Sequence, residues 1–584
     1  MSRGGGLVLV VLGFAGCSGG GLRTDCEDCP GDAGLAAQDG GTAAFERTPQ
    51  ANPLPAENAL AGTTDWTITN PATNHEIEGY ASTDSAEAGD VVDVAVNAQP
   101  AATSFTWSLY RLGWYAGQGG RLVASGGPLT APLQPGCPID QATALLACDW
   151  PPTFSFTVDP SWPSGAYLIK LHRVDVGLEQ YVPLVVRDHR AADILVQIPT
   201  STWEAYNPWG GESLYEDAAG LTPTGMAFQA SFNRPYGEGE GAEHLLWWQQ
   251  PTIAWLERYG FDVTYGTNLD LARFPTFLSG VGAFVLAGGH DEYWEQGERD
   301  VLDGALGAGK LSLVSFDANG GYWRVRFESD AQGNPFRTVT CYKGRPDLDP
   351  LGTTIPTTRF RDPPNPEPED QLFGAEYLDW QLFGVPLVVA DPSSWIFAGT
   401  GFQAGDQVPG LVGYEFDGLV PGDPQPAGLD ALAVSPVPTA EGTANQSTMV
   451  VRTLPGGQVV FDASSIYFTQ GLATTSDPRI YRMAWNALEG ALAWRRPERP
   501  VPDFAAQVTS SPQATPDPTW AGTVTTLVGN GVPGDADGPG LAAQLDWPVG
   551  VAVSPDGGFV VADTGGNAIR TVGEDAAHTV TTIA

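Results

Sequence analysis

Glycines, aromatic rings and ionisable side chains are concentrated in four short segments, at residues 203–211, 231–236, 288–294 and 317–326. Within them, His290 and Glu292 are the pair best suited to hydrolytic chemistry, because an imidazole can bind a metal ion and a carboxylate can act as a base. A metal ion held there would activate water and polarise a carbonyl group. The residue types therefore suggest a hydrolytic metal site.

Apolar runs that read as buried strands lead into three of these segments, and residues 231–236 lie between the first and second runs. The strands are predicted at residues 194–198, 261–265, 283–287 and 311–316. Helical stretches at 243–259 and 295–308 alternate with them, which indicates a parallel sheet with helices on both faces. Ligands of such sheets bind beyond the carboxyl ends of the strands, so we expect the four segments to meet there.

The residues before this region have a different pattern, with short apolar alternations bounded by turn residues. Strand candidates lie at 91–96, 104–110, 153–158 and 166–172. Their even spacing predicts a β-sandwich over residues 66–189. The central α/β region then covers residues 190–499.

A linker rich in Pro, Ser and Thr is predicted at residues 500–519, and the pattern changes again after it. The triplet Val-Thr-Thr recurs at 524–526 and 580–582, and the residues between resemble an NHL repeat, one blade of a β-propeller. One blade cannot bury both of its faces, so residues 520–584 are expected to be a propeller fragment that needs blades from elsewhere. The predicted fold class is α/β plus β.

The first residues are typical of export. An apolar run at 7–14 ends in Phe-Ala-Gly before Cys17, which resembles a bacterial lipobox. Residues 1–17 would then be a lipoprotein signal peptide, with Cys17 acylated as a membrane anchor on the cell envelope and residues 18–65 a disordered tether. An ordinary cleaved signal with a chance cysteine is the alternative.

Charge and cysteine content limit the partners and the compartment. The formal net charge is −40, which argues against nucleic acid as a partner. In an oxidising compartment, Cys137 and Cys148 are expected to form a disulfide. Cys26 and Cys29 could pair or bind metal weakly, and Cys341 is expected to be buried as a small hydrophobic residue.

The order of several motifs identifies a family resemblance. TWEAYNPWGG, SFNRPY, GGHDEYW and GYWRVRFE follow one another as in the large (beta) subunit of N,N-dimethylformamidase and its relatives, and the likeness spans residues 75–490. The resemblance implies a central sheet of the glutamine-amidotransferase-like type. A glutamine amidotransferase or sugar-processing activity is disfavoured, because no cysteine nucleophile stands at a strand end and Cys341 is not placed for that role.

The resemblance also implies a ligand set. The family's enzyme binds one iron through two tyrosine phenolates and one glutamate, which correspond best to Tyr206, Tyr236 and Glu292. Phenolates and carboxylates are hard anionic oxygen donors, suited to ferric iron (Fe3+). Plainer roles are half-buried aromatics for the tyrosines and a carboxylate at a helix start for Glu292.

Three further residues are assigned to catalysis or substrate binding. By resemblance, Glu415 corresponds to a general base, with His290 beside the metal as a proton shuttle, and Asn319 could anchor a substrate oxygen. The alternatives are a surface acid, a structural histidine and a turn residue, respectively.

Two functions remain open at this point. One is a metal-dependent hydrolase of amide C–N bonds in small molecules, with a companion subunit or a homo-oligomer as the expected assembly. The other is a non-catalytic cell-surface module that binds glycans or proteins.

Overall fold

A computed structural model describes residues 44–504, apart from 101–102, 353, 423, 439–443 and 474–476. It also describes residues 527–529, 534, 536–545, 548–553, 558–563, 568–573 and 577–583. The chain divides into two units between Thr509 and Ser510. Cys17, Cys26, Cys29 and the predicted signal peptide lie outside the described residues.

The amino-terminal part of the first unit is a pair of packed sheets. Its elements are α1 (Leu54–Glu57), β1 (Glu78–Ala81), β2 (Ser85–Ala86), β3 (Val91–Asn97), β4 (Thr103–Leu112), β5 (Gly120–Ala131), β6 (Phe154–Thr157), β7 (Gly165–Arg173) and β8 (Glu179–Val186). In the described residues, the sheet orders are β1-β3-β6 and β2-β8-β7-β4-β5. Alternating apolar residues of β3, β4, β7 and β8 face one another and form a shared core.

The central part contains the predicted parallel sheet. Its elements are β9 (Ile194–Ile198), α2 (Thr200–Tyr206), β10 (Glu212–Ser213), β11 (Glu216–Asp217), β12 (Gln229–Ser231), α3 (Gln250–Arg258), β13 (Val263–Thr267), α4 (Asn268–Arg273), β14 (Ala283–Leu286), β15 (Tyr293–Glu295), α5 (Gln296–Gly307), β16 (Ser312–Ser315), β17 (Trp323–Glu328), β18 (Thr338–Thr340), α6 (Glu369–Phe373), β19 (Glu376–Val388), β20 (Gln407–Gly418), β21 (Leu429–Pro438), β22 (Ala444–Thr453), β23 (Val459–Asp462), α7 (Gln470–Ala473) and α8 (Pro478–Leu492).

Strand order fixes where a ligand site can form. Within the described chain the main sheet runs β13-β9-β14-β16-β23-β22-β21; the first five strands are parallel and the last two are antiparallel additions. Numbered along the chain, the parallel strands have the order 2-1-3-4-5, so the direction of winding reverses between β9 and β14. The carboxyl ends of β9 and β14 therefore border the crevice where doubly wound sheets bind ligands.

Three smaller sheets complete the first unit as described, with the orders β10-β11, β12-β18-β17-β15 and β19-β20. The second unit has four described strands in consecutive antiparallel pairing, β24 (Pro548–Val553), β25 (Phe559–Asp563), β26 (Ala568–Val572) and β27 (Val580–Thr582). The predicted class, α/β plus β, is confirmed. No helix among the described residues has both the length and the apolarity to cross a bilayer.

Three predicted segments differ in detail. The helix predicted over residues 243–259 begins as a π-helical turn at Leu245–Gln249 and continues as α3 from Gln250. Pro251 fits the first turn of α3, because the amide of that position needs no helical partner. Phe45 and Leu54 are buried, so the predicted tether is wrong for residues 44–65, which pack on the folded unit. Phe504, within the predicted linker, is buried against Tyr259.

Cys137 and Cys148 form a disulfide, as predicted from the sequence. Cys148 is buried, and its backbone amide donates to the carbonyl of Asn233, 2.8 Å away. The bridged loop is thereby attached to the SFNRPY segment of the central region. Cys341 is free and buried, as predicted.

Candidate active site and metal centre

Strand ends of the main sheet carry the residues that the sequence singled out. Tyr206 is the last residue of α2, which follows β9 almost at once. His290 and Glu292 lie between β14 and β15, and Asn319 follows β16. Glu415 comes from β20, which pairs with β19 outside the main sheet.

The glycines before His290 are required by close packing. Gly288 and Gly289 have φ values of +117° and +86°, which side chains rarely tolerate. A Cβ at Gly288 would lie 2.3 Å from the Cγ2 of Thr469. The backbone amide of Gly288 donates to Asp317, so the β14 loop is tied to the end of β16.

Asp291 anchors the two residues on either side of it. Its carboxylate accepts hydrogen bonds from Gln197 Nε2 (2.8 Å) and Asn268 Nδ2 (2.9 Å), and also from the indole of Trp294 (2.8 Å). Gln197 is on β9 and Asn268 begins α4, so neighbouring parts of the sheet edge hold this loop. The side chains of His290 and Glu292 are thereby positioned by a buried polar network.

Two phenols and one carboxylate converge at this edge. Tyr206 Oη donates to Glu292 Oε2 at 2.8 Å, and Tyr215 Oη donates to Tyr206 Oη at 2.7 Å. Tyr215 Oη also lies 3.4 Å from each oxygen of Glu292. Tyr293 Oη donates to Tyr215 Oη at 2.7 Å and extends the phenol chain inward.

Tyr236 is not part of this cluster. Its ring packs edge-on against Trp203, with centroids 6.4 Å apart, and burial followed by Glu204 and Glu243 raises its pKa. The structure thus brings Tyr215, and not the predicted Tyr236, within hydrogen-bond distance of Tyr206. Tyr215 occupies the two-residue turn between β10 and β11, a position that turns its hydroxyl back onto α2.

His290 lies between two carboxylates. Its Nδ1 is 3.4 Å from Glu292 Oε2 and 3.5 Å from Glu415 Oε2, and the ring is buried. Burial alone would lower the pKa of His290, but Glu415 and Glu292 outweigh it and raise that pKa. Burial raises the pKa of Glu415 to about 7, against the opposing effect of His290.

Asn319 orients Glu415. Its Nδ2 donates to Glu415 Oε2 at 2.9 Å, and its backbone amide donates to Asp417 Oδ1 at 2.8 Å. The side-chain oxygen of Asn319 is buried and has no hydrogen-bond partner. An amide oxygen in that position could accept a hydrogen bond from a ligand.

Lys343 and His244 were not anticipated from the sequence. Lys343 Nζ lies 3.3 Å from the ring centroid of Tyr215, and burial lowers the pKa of this lysine to about 8. The His244 ring stacks on His290 with centroids 5.5 Å apart. A lysine beyond the predicted strands and a histidine in a glycine-rich loop have no local pattern that would reveal these positions. Arg326 pairs with Asp349 at 2.7 Å in a structural ion pair.

The donor set fits a hard, highly charged cation. Donor atoms that share one ion at about 2 Å lie about 3 Å from one another, and the oxygens of Tyr206, Tyr215 and Glu292 are separated by 2.7–3.4 Å. Burial, followed by Glu292, raises the pKa of both phenols, so a strong positive charge is needed to favour their phenolates. Tyr206, Tyr215 and Glu292 are thus compatible with ferric iron.

Comparison with known proteins gives two matches along the chain. The family described as N,N-dimethylformamidase beta subunit-like, C-terminal, matches residues 106–479, and an NHL repeat matches residues 545–571. The N,N-dimethylformamidase beta subunits of Alcaligenes sp. and Paracoccus aminophilus are each 27% identical over 220 residues. These alignments cover 30% of this chain and 28% of each relative's length. The family resemblance inferred from the motifs is confirmed, and the chain belongs to the N,N-dimethylformamidase beta subunit-like, C-terminal family.

Proposed function

We propose that this protein is a metal-dependent hydrolase that cleaves amide C–N bonds in small molecules, with iron held by Tyr206, Tyr215 and Glu292. The observation that carries the proposal is the convergence of two phenol oxygens and a carboxylate at the switch point of the sheet, beside His290. Family membership supports the reaction class, since the relatives' names refer to an amidase of dimethylformamide.

Each group would have a distinct task. Ferric iron bound by these oxygens would act as a Lewis acid toward the amide carbonyl. Glu415 Oε2 would take a proton from the attacking water, and Asn319 Nδ2 keeps that carboxylate oriented. His290 Nδ1, which lies near Glu415 and Glu292, would pass the proton to the leaving amine. The Asn319 side-chain oxygen would hold a polar group of the substrate.

The test is the colour and metal content of the purified full-length protein. Tyrosinate bound to ferric iron gives a visible charge-transfer absorption, which Tyr206→Phe and Tyr215→Phe should each weaken or abolish. Tyr236→Phe is the matched control, since that hydroxyl lies outside the cluster, and it should leave both colour and iron content unchanged. Release of amine from dimethylformamide and other small linear amides should fall with the colour.

Two results would contradict the proposal. A colourless protein that contains no iron after growth in iron-rich medium would contradict the metal centre. Binding of a glycan or a protein partner by that protein would then favour the non-catalytic surface module. Loss of colour in Tyr236→Phe but not in Tyr215→Phe would reinstate the ligand set inferred from the sequence.

We propose further that the sheet order 2-1-3-4-5 reflects a glutamine-amidotransferase-like central domain, that the paired amino-terminal sheets are a β-sandwich, and that the second unit is a propeller blade. On sequence grounds, Cys17 is the proposed lipid attachment site of an exported, envelope-anchored protein. The relatives are named as beta subunits, which supports a companion subunit for this chain or an assembly of its own copies.

A further inference from the structure

A second set of side chains that could hold a metal ion lies on the loop between β12 and α3. Glu238, Glu243 and His244 each offer one ligand atom, and these atoms all lie within 4.8 Å of one another. None of the three belongs to the phenol–carboxylate cluster of Tyr206, Tyr215 and Glu292. One imidazole and two carboxylates are a donor set that first-row divalent ions such as zinc use in proteins.

Glu243 has an unfilled hydrogen-bonding capacity that points to a ligand. The residue is fully buried, and its Oε1 accepts a hydrogen bond from the backbone amide of Glu238 at 3.1 Å. Its Oε2 is buried with no hydrogen-bond partner. A buried carboxylate oxygen without a partner is costly, and a bound cation would remove that cost.

His244 is held rigidly with its nitrogens available. The ring is buried and stacks on Trp247 and on His290, with centroids 5.6 and 5.5 Å apart. Its Nδ1 has no hydrogen-bond partner, and its Nε2 lies 3.8 Å from Glu238 Oε2, too far for a hydrogen bond. Because the ring faces are occupied by stacking, the edge that carries the nitrogens is left for a ligand.

Glu238 gives the cluster access to solvent. Its side chain is 45% exposed, whereas those of Glu243 and His244 are buried. An ion can therefore reach the two buried ligands past an exposed carboxylate. Three protein ligands also leave a coordination position for water, as in many catalytic zinc sites.

We propose that Glu238, Glu243 and His244 form a second metal site that binds a divalent transition-metal ion, with zinc the ion that suits the donors best. The site is separate from the iron ligands and adjoins them through the stacked rings of His244 and His290. It does not depend on the hydrolase proposal, since the same ligands would bind zinc in a protein without catalytic activity.

The experiment uses the full chain with Tyr206→Phe and Tyr215→Phe. These substitutions weaken zinc binding at the phenol–carboxylate cluster. After removal of metals by chelation, zinc chloride is titrated calorimetrically and bound zinc is measured by mass spectrometry. The expected result is one zinc per chain in this parent. Glu238→Gln and Glu243→Gln should each weaken zinc binding by more than about 100-fold, because each removes a direct ligand.

Glu240→Gln is the matched control. Glu240 lies in the same loop, is exposed and carries the same charge, but it is not one of the three ligands. Its zinc affinity should equal that of the parent. If Glu243→Gln fails to fold, the conclusion rests on Glu238→Gln. The Glu238 side chain is exposed, so its replacement leaves the core undisturbed.

Thermal unfolding provides a second readout. A ligand that binds only the folded state raises the unfolding temperature, so zinc should stabilise the parent and Glu240→Gln but not Glu238→Gln. The proposal is overturned if the parent binds no zinc, or if Glu238→Gln binds zinc as tightly as the parent does. In that case Glu243 is a buried protonated acid with no metal partner.

Discussion

Asn319 combines two properties that a single substitution cannot replace. Its φ of +57° lies in the left-handed region, which asparagine tolerates better than most residues, and its side-chain amide donates to Glu415 Oε2. The residue is thus both a turn residue and a positioning residue for the proposed base. The sequence offered a turn residue and an anchor for a substrate oxygen as alternatives, and the contact with Glu415 adds the positioning role.

Substitutions at Asn319 should separate the two roles. Asn319→Gly and Asn319→Ala both remove the amide, so each should lower the rate of amide hydrolysis by about 10–100-fold. Only Asn319→Ala should also lower the free energy of unfolding, by about 1 kcal/mol, because alanine is strained in the left-handed conformation and glycine is not. Steady-state kinetics and urea unfolding measure the two effects, and full activity in Asn319→Gly would contradict the positioning role.

Buried acids lie at or near the strand ends of the main sheet, as the candidate ligands do. Asp317 follows β16, Asp462 ends β23 and Asp417 lies on β20, and all three are buried. Burial raises the pKa of each, and that of Asp462 rises to about 7. Of these three acids, Asp462 is therefore the one expected to titrate near neutral pH.

Asp462 should make stability fall as the pH rises. The unfolded carboxyl ionises near its ordinary pKa of 3.8, whereas the folded one keeps its proton up to about 7. Between those values the folded state binds more protons, so the free energy of unfolding decreases with increasing pH. Asp462→Asn, which keeps the shape and can still accept from the backbone amide of Ser464, should flatten this decrease between pH 4 and 7.

Chemical denaturation at a series of pH values measures this effect. The slope of unfolding free energy against pH should be less negative in Asp462→Asn than in the parent over the same window. Identical slopes in the two proteins would show that Asp462 does not titrate between those pH values.

At the scale of the whole first unit, a buried ion pair joins the amino-terminal sheets to the central domain. Arg111 on β4 donates to Glu257 on α3 through two hydrogen bonds of 2.7 and 2.9 Å, and both side chains are fully buried. Asn58 and Tyr265 also donate to Glu257, so the junction is a network. Breaking one side of such a pair leaves an uncompensated charge in the interior.

Removal of one partner should therefore lower the free energy of unfolding more than removal of both partners does. Arg111→Met or Glu257→Met alone should destabilise the protein by about 3–5 kcal/mol, and the double variant should recover part of this loss. Urea unfolding of the three variants forms the double-mutant cycle. Arg345→Met provides the control, since its pair with Asp347 is exposed and its loss should leave the midpoint unchanged.

The sequence by itself determined the local elements and part of the site. Apolar runs and alternation predicted the strands of both sheet regions, because side-chain periodicity reports burial within one element. The glycines before His290, the disulfide cysteines and the family motifs were also readable, since each depends on local backbone or residue identity. The rule that ligands bind at strand ends predicted that Tyr206, His290 and Glu292 lie close together.

Only the tertiary structure decided which side chains complete the cluster. Tyr215 meets Glu292 across 77 residues, and Asn319 meets Glu415 across 96. The family motifs favoured Tyr236, whereas the contact of Tyr215 with Tyr206 depends on a two-residue turn that packs against α2. Contacts between distant segments depend on how whole elements pack, and no periodicity within one segment encodes that packing.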